Sequence, residues 1–317
     1  MLTPLLLFAG SLALLLVAAR FFTTAAERVG LALGLSPFVV GVLIVAVGTS
    51  LPELVASLLA VRAGTSEIVA GNVLGANAAN LLLVLGTTSA VARTSRIELG
   101  EQYIAIDLHF LLGGVVLLSA MMLDGAVGRL DGVLLLAAYV VFVIYLVREG
   151  RSETADADAA ALLPDRSRSM GRDVAILLGA GAAIFVGGDL TVGALTDLAE
   201  VLAISPAVAS ITILSLGTTL PELVVSVTAA RAGQAELAVG GILGSCVFNT
   251  LAVTGAASAL GGVIVPTDLL TFAVPFVAAS TLLFYLLTQD KRISRWEGLL
   301  LIVLFAFFLL TLIQRAR

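Results

Sequence analysis

Charge is what this sequence has least of. Asp, Glu, Lys and Arg make up 12% of its 317 residues against 60% apolar, and the mean hydropathy is +1.12. A soluble domain keeps about a quarter of its residues charged to hold its surface in water, so a soluble domain is excluded. Cysteine and histidine are nearly missing, with Cys246 and His109 the single examples. One cysteine cannot close an intramolecular disulfide, and the imidazole and thiolate sets that hold zinc or copper are not available. The 17 basic residues are outnumbered by 22 acidic ones and form no basic stripe, which argues against nucleic acid as a partner. No positive residue precedes the apolar start MLTPLLLFAG, so the first segment reads as a helix that stays, not as a cleaved leader.

What remains is hydrocarbon. The apolar runs are continuous and do not alternate every second residue, which excludes a β-barrel and leaves helices as the only way to pair every backbone group in a bilayer. At about 20 residues per crossing, we expect an all-α membrane protein of ten transmembrane helices. They fall at about 2 to 28, 37 to 62, 67 to 92, 103 to 123, 129 to 148, 172 to 198, 206 to 231, 236 to 260, 267 to 288 and 296 to 314. The longest polar stretch, Glu149 to Arg172, is rich in Ala, Asp, Arg and Ser and reads as a linker at 149–171 between two five-helix halves, 1–148 and 172–317. Its TADADA run lacks the glycine and closing glutamate of an EF-hand loop.

Basic residues set the orientation. Arg20, Arg28, Arg93, Arg96, Arg148, Arg151, Arg166, Arg168, Arg172, Arg231, Lys291, Arg292 and Arg295 fall on one side. Only Arg62, Arg129, Arg315 and Arg317 fall on the other. The rich side is cytoplasmic by the positive-inside rule, which places both termini outside a cell membrane, among membrane lipids.

The two halves repeat. GTSLPELVASLLAVRAGTSEIVAGNVLGANAANLLLVLG, from Gly48 to Gly86, aligns without a gap to GTTLPELVVSVTAARAGQAELAVGGILGSCVFNTLAVTG, from Gly217 to Gly255. Ser36-Pro37 and Ser205-Pro206 keep the same register, and Arg129-Leu-Asp-Gly132 resembles Arg295-Trp-Glu-Gly298 slightly out of it. An odd number of helices per copy turns the second copy over, so the expectation is two inverted five-helix repeats with a site between them near the midplane.

Each copy carries G-T-[ST]-L-P-E inside an apolar helix. Pro52 and Pro221 supply no N–H and clash with the carbonyl four residues back, so the helix is expected to break there. Gly48 and Gly217 are expected to make the unwinding cheap, while Thr49, Ser50, Thr218 and Thr219 can turn hydroxyls toward the gap. Glu53 and Glu222 follow at once. Each carboxylate at a helix centre costs about 2.5 to 3.5 kcal/mol, and Arg62 and Arg231 lie at helix ends where they snorkel. A cation is the natural partner, and an all-oxygen donor set suits calcium or sodium. The bland alternative is a carboxyl pair held protonated for structure.

The next helix in each copy carries small residues at Gly71, Gly75, Ala76, Gly240, Gly241, Gly244 and Ser245, which by themselves read as helix packing. Asn80 and Asn249 follow and can offer further oxygens or simply an interhelical hydrogen bond. These paired segments resemble the α-1 and α-2 repeats of the cation/calcium exchanger superfamily, and the whole chain is similar to its compact prokaryotic sodium/calcium exchanger branch. The resemblance implies Glu53 and Glu222 as calcium ligands, helped by the main-chain oxygens of Thr49 and Thr218. It implies sodium at the side chains of Thr49 and Thr218, the carbonyls of Ala46 and Ser215, and Ser245, with Asn80 and Asn249 near the centre. Ca2+ and Na+ are then the transported ions, no organic cofactor is expected, and the chain is not an enzyme. Ala76 stands where the family usually has serine, opposite Ser245, and removes one hydroxyl.

The expected activity is sodium/calcium antiport by alternating access. Helices 1 and 6, long and relatively free of polar anchors, are the candidates to slide. A proton/calcium antiporter of the same superfamily and a cation channel are the alternatives at this point. Asp107 and His109 read as interfacial or as pH-sensing, Cys246 as a small packing residue, and Trp296 as an interfacial anchor.

Overall fold

The computed structural model describes residues 2–32, 46–92, 96–98, 108–149, 170–233 and 235–315. Among these, eight helical runs are long and apolar enough to cross a membrane, from Leu2–Ala26 to Arg295–Arg315. The helix expected at 103 to 123 is the shorter apolar helix Leu108–Met122, and 103–107, with Asp107, lie outside the described residues. The helix expected at 37 to 62 is described only from Ala46. Of the 149–171 linker, 150–169 lie outside the described residues.

Helices α1 (Leu2–Ala32) and α8 (Met170–Leu202) overrun their expected ends at 28 and 198. At 31 and 33 residues they reach about 46 and 50 Å, longer than a bilayer with its headgroups. They lie antiparallel. Arg28 pairs with Asp173 at 3.1 Å, a Cβ at Gly187 would touch the Leu15 backbone at 3.0 Å, and Thr191 Oγ1 lies 3.1 Å from Ser11 Oγ. A polar pair and an ion pair bind these two helices to each other.

The motif of the first copy lies on α2 (Ala46–Thr49) and α3 (Leu51–Arg62), and α4 (Glu67–Ala78) follows. A π-helical turn, Ala79–Val84, leads into α5 (Leu85–Val91), then come β1 (Arg96–Glu98), α6 (Leu108–Met122), β2 (Ala126–Val127) and α7 (Arg129–Glu149). After α8 the second copy runs through α9 (Pro206–Ala209), a π turn at Ser210–Leu214, α10 (Ser215–Thr218), α11 (Leu220–Ala232) and α12 (Ala235–Val247). A π turn at Phe248–Val253 leads to α13 (Thr254–Gly261), and β3 (Val263–Ile264) follows. A last π turn at Leu269–Ala273, α14 (Val274–Leu287), β4 (Arg292–Ser294) and α15 (Arg295–Arg315) complete the described chain. Burial sorts these helices. The spans Glu67–Val91 and Ala238–Gly261 are 94% and 83% buried, against 22% to 28% for those of α1, α7, α8 and α15, so the helices that carry Asn80 and Asn249 form the centre.

The interhelical contacts come in matched pairs. β1 pairs with β4, Arg96 opposite Ser294, and β2 pairs with β3, Ala126 opposite Ile264. These two short antiparallel ladders were not expected from the sequence, because two or three residues are too few to show an alternating pattern. Beside each ladder two glycines cross. A Cβ on Gly86 would lie 2.7 Å from the Gly298 carbonyl, and one on Gly132 would lie 2.7 Å from the Gly255 carbonyl. The likeness of Arg129–Gly132 to Arg295–Gly298 therefore has a cause: each segment presents the glycine that lets α7 or α15 lie against the other copy. Gly132→Ala and Gly298→Ala are expected to destabilise by about 1 to 3 kcal/mol, since backbone atoms cannot rotate away. Thermal unfolding in detergent checks this, with Gly113→Ala, where a Cβ meets nothing within 4 Å, as the unaffected control.

Candidate functional site

The break expected at Pro52 and Pro221 is a single-residue kink and not an unwound gap. Ser50 sits at φ −96°, ψ 12° and Thr219 at φ −81°, ψ −4°, both close to helical. Helical bonding resumes at once, with Leu54 N–H donating to Ser50 O at 3.2 Å and Leu223 N–H to Thr219 O at 3.1 Å. Proline at the first or second helical position loses no bond the helix start would have made, which is why the chain re-forms its helix so soon. The role expected for Gly48 and Gly217 is also corrected. Both stay inside short helices, and a Cβ there would overlap the side chains of Thr23 and Leu12 of α1. Close approach of α1, not cheap unwinding, is what these glycines provide.

The kinks bring the two carboxylates together. Glu53 is 0% and Glu222 4% exposed, and each reaches across to the other copy. The Glu53 carboxyl lies beside the Thr218 hydroxyl, and the Glu222 carboxyl beside the hydroxyls of Thr49 and Ser50 and within electrostatic reach of Glu53. Thr49 Oγ1 lies 3.4 Å from Ser245 Oγ, another contact between copies. Yet no hydrogen bond closes on the acids. Both oxygens of Glu53, both of Glu222, the whole amides of Asn80 and Asn249, and Ser50 Oγ are buried without a partner. A buried polar atom left unpaired costs about 1 to 3 kcal/mol, and such atoms number only a few per hundred residues in folded proteins. Seven of the side-chain oxygens lie on the two kinked helices and on the π turns that follow them in each copy.

Asn80 and Asn249 arrive there by a device the sequence did not reveal. Each is the second residue of a π turn, Ala79–Val84 and Phe248–Val253, at the same register in the two copies. The extra residue per turn rotates the following helix and frees backbone carbonyls, and such turns recur at functional sites. Composition gives no sign of a π turn, so only their exact repetition in both copies could have hinted at one.

The remaining expected residues differ from one another. Thr218 Oγ1 donates to Leu214 O at 3.2 Å and Ser215 O at 3.3 Å, and Thr219 Oγ1 donates to Ser215 O at 2.7 Å. The Thr219 hydroxyl is thus turned back on its own helix, whereas Ser50 at the matching position stays unpaired. The Ser215 carbonyl accepts both threonine hydroxyls and the Thr219 N–H, and the Ser215 hydroxyl donates to Ile211 O at 2.6 Å. Ala46 opens α2 immediately before the motif. Ala76 is buried on α4 and brings a methyl where its partner Ser245 brings a hydroxyl.

Two contacts between the copies involve residues not singled out from the sequence. Asn77 Nδ2 donates to Thr250 Oγ1 at 2.8 Å across the copies, and Ser210 Oγ donates to Ile68 O at 2.7 Å. Gly75 allows the close approach, since a Cβ there would lie 2.6 Å from Ile211 O. Cys246 is fully buried beside Asn80 and Glu222, as its expected packing role requires. His109 packs edge-on against Tyr285, ring centroids 5.8 Å apart, away from the carboxylates. Among the described residues no three His, Cys, Asp or Glu side chains converge; what lies beside the two carboxyls is hydroxyl oxygen, with the unpaired amides of Asn80 and Asn249 on the helices that follow. That set is hard and suits Ca2+ or Na+ over zinc or copper.

Comparison with known proteins identifies the family to which the chain is similar. The family model described as sodium/calcium exchanger protein matches residues 3–148 and 173–314. The sodium/calcium exchanger MaX1 of Methanosarcina acetivorans is 28% identical, over 92% of this chain and 93% of its own. The inner membrane protein YrbG of Escherichia coli is 32% identical, over 70% of this chain and 69% of its own. Among solved structures, the sodium-calcium exchanger NCX_Mj soaked with 2.5 mM Na+ and 1 mM Sr2+ superposes with a TM-score of 0.68 at 26% identity, covering 96% of each chain.

Proposed function

The chain belongs to the sodium/calcium exchanger protein family, and from that membership we propose that it moves Ca2+ against Na+ at the Glu53–Glu222 site by alternating access. Members of this family are exchangers and not catalysts. The observation that carries the reading is the set of buried, unpaired oxygens to which both copies contribute a glutamate and an asparagine, with Ser50 added by the first copy alone. Ca2+ binds between Glu53 and Glu222 with the backbone oxygens of Thr49 and Thr218. Na+ takes overlapping positions at the Thr49 and Thr218 side chains, the Ala46 and Ser215 carbonyls and Ser245, with Asn80 and Asn249 at the centre and Ser50 and Thr219 at the kinks. The Ser215 carbonyl must give up some of its three donors to serve an ion.

Competition follows from charge. Two carboxylates balance one Ca2+ or two Na+, so either cargo compensates the acids and the two exclude each other. An uncompensated pair resists reorientation, which makes the protein an exchanger and suppresses leak. A third Na+ leaves one net positive charge, and transport then responds to voltage by about 2.3 kcal/mol per charge per 100 mV. Ala76 removes a hydroxyl from the counterpart of the Thr49–Ser245 pair, and proton coupling is the second reading that this absence favours.

The architecture in this reading is ten helices in two inverted five-helix repeats, 1–148 and 172–317, joined by a cytoplasmic linker at 149–171, with both termini outside a cell membrane. The ladders support it. β1 and β4 belong to segments on the arginine-rich side, β2 and β3 to segments on the other, as an inverted pair requires. Radioactive calcium uptake into sodium-loaded and proton-loaded proteoliposomes tests the function. Uptake is expected to follow the sodium gradient and to saturate. Uptake driven by pH and indifferent to sodium would overturn sodium coupling, and unsaturable flux without a counter-ion would indicate a channel.

A further inference from the structure

The two glutamates are chemically alike, but their helices are not held alike. Asn72 is fully buried on α4, and its Nδ2 donates to Glu53 O at 3.2 Å and to Ser57 Oγ at 3.2 Å. This amide reaches α3 in its first turn, where Pro52 supplies no N–H and the backbone is least secured by its own bonds. At the matching register the second copy has Gly241, where a Cβ would meet nothing within 4 Å. Packing follows the same asymmetry. α8 covers α3, since a Cβ at Gly188 would lie 3.0 Å from Leu59 Cδ1. The matching face of α11 is open, with Val224 63% and Val225 54% exposed.

We propose that Asn72 is a positioning residue that fastens the Glu53 backbone across the interhelical gap, making Glu53 the fixed half of the ion site and Glu222 the half that moves. This rests on the exchange reading above. The amide touches no ion. It sets where the Glu53 carboxylate stands by holding the carbonyl of the same residue and the hydroxyl one turn on, so the carboxylate meets the ion without first being ordered. Glu222 has no such tie from position 241, and its segment is free to follow the rearrangement that alternating access demands.

The test is calcium-dependent exchange in proteoliposomes by Asn72→Leu, of the same branched outline though bulkier and without donors, by Asn72→Ala, and by Ser57→Ala. Losing both hydrogen bonds, part of whose worth falls on ion binding, should raise the calcium concentration for half-maximal transport about tenfold in both Asn72 variants. The maximal rate should stay within about twofold, because no ion ligand is lost. Ser57→Ala, which removes one acceptor and little volume, should shift the midpoint about threefold in the same direction, and it carries the test if the Asn72 variants do not fold. A wild-type midpoint in Asn72→Leu, or a reduced maximal rate with an unchanged midpoint, overturns the positioning role, as does an unshifted midpoint in Ser57→Ala when the Asn72 variants fail. Wild-type flux indifferent to sodium instead overturns the exchange reading, and the two failures are read from different samples.

Discussion

Glu53→Gln and Glu222→Gln are each expected to abolish sodium-dependent calcium uptake while leaving the protein folded. Removing one partner of a buried charge constellation costs about 3 to 5 kcal/mol, a factor of about 10² to 10³ or more in affinity at 1.4 kcal/mol per tenfold. Stability should move the other way. A neutral amide escapes the penalty of about 2.5 to 3.5 kcal/mol for a charge at mid-membrane, so without ions each variant should unfold at or above the wild-type temperature. The wild type should gain stability on adding calcium, by mass action on the folded state, and the variants should not. Exchange that survives either neutralisation ends the shared-site account. Loss of exchange together with loss of folding would point to the pair as structural.

A disulfide between positions 55 and 188 should stop transport reversibly. A Cβ built at Gly188 lies 3.7 Å from Val55 Cβ, near the mean of about 3.8 Å for disulfides. In the second copy the position matching Val55 is Val224, 63% exposed. α8 thus sits against α3, while among the described residues no helix lies equally close on the matching face of α11. Because α8 is one of the two helices expected to slide in alternating access, the other state needs this contact to open. Oxidised Val55→Cys/Gly188→Cys, made with Cys246→Ala to remove the native thiol, is expected to show background flux, and reduction is expected to restore it. A bond verified by mass with flux unchanged would mean that α8 need not leave α3. Since Arg28–Asp173 and Ser11–Thr191 tie α1 to α8, α1 should be immobilised by the same bond.

The side-chain contacts of Gly48 and Gly217 illustrate where residue type alone misleads. Glycine beside a Pro-Glu pair reads as an unwound backbone, yet each is helical and serves an approaching side chain of α1. The local conformation was misjudged because a glycine's two uses, unusual φ and close contact, leave the same letter in the chain. Thr219 is a related case. Its hydroxyl was expected in the site with Ser50, but the two residues part company once Thr219 finds the Ser215 carbonyl one turn back. The π turns at Ala79–Val84 and Phe248–Val253 had no composition signal at all, being an adjustment of hydrogen bonding that many apolar sequences accept.

What the linear chain determined is whatever follows from solvation and covalent structure: membrane residence from scarce charge, paired copies from their shared letters, and two acids beside two prolines in hydrocarbon. Those statements need no neighbours, because the cost of a carboxylate in lipid and the missing proline N–H are properties of the residue itself. Tertiary structure alone decided which hydroxyls face the acids, that Asn72 holds only one of the two kinked helices, and that α8 covers only one of them. Such facts depend on which of several near-equal partners each polar group meets, and that choice is made across helices far apart in sequence.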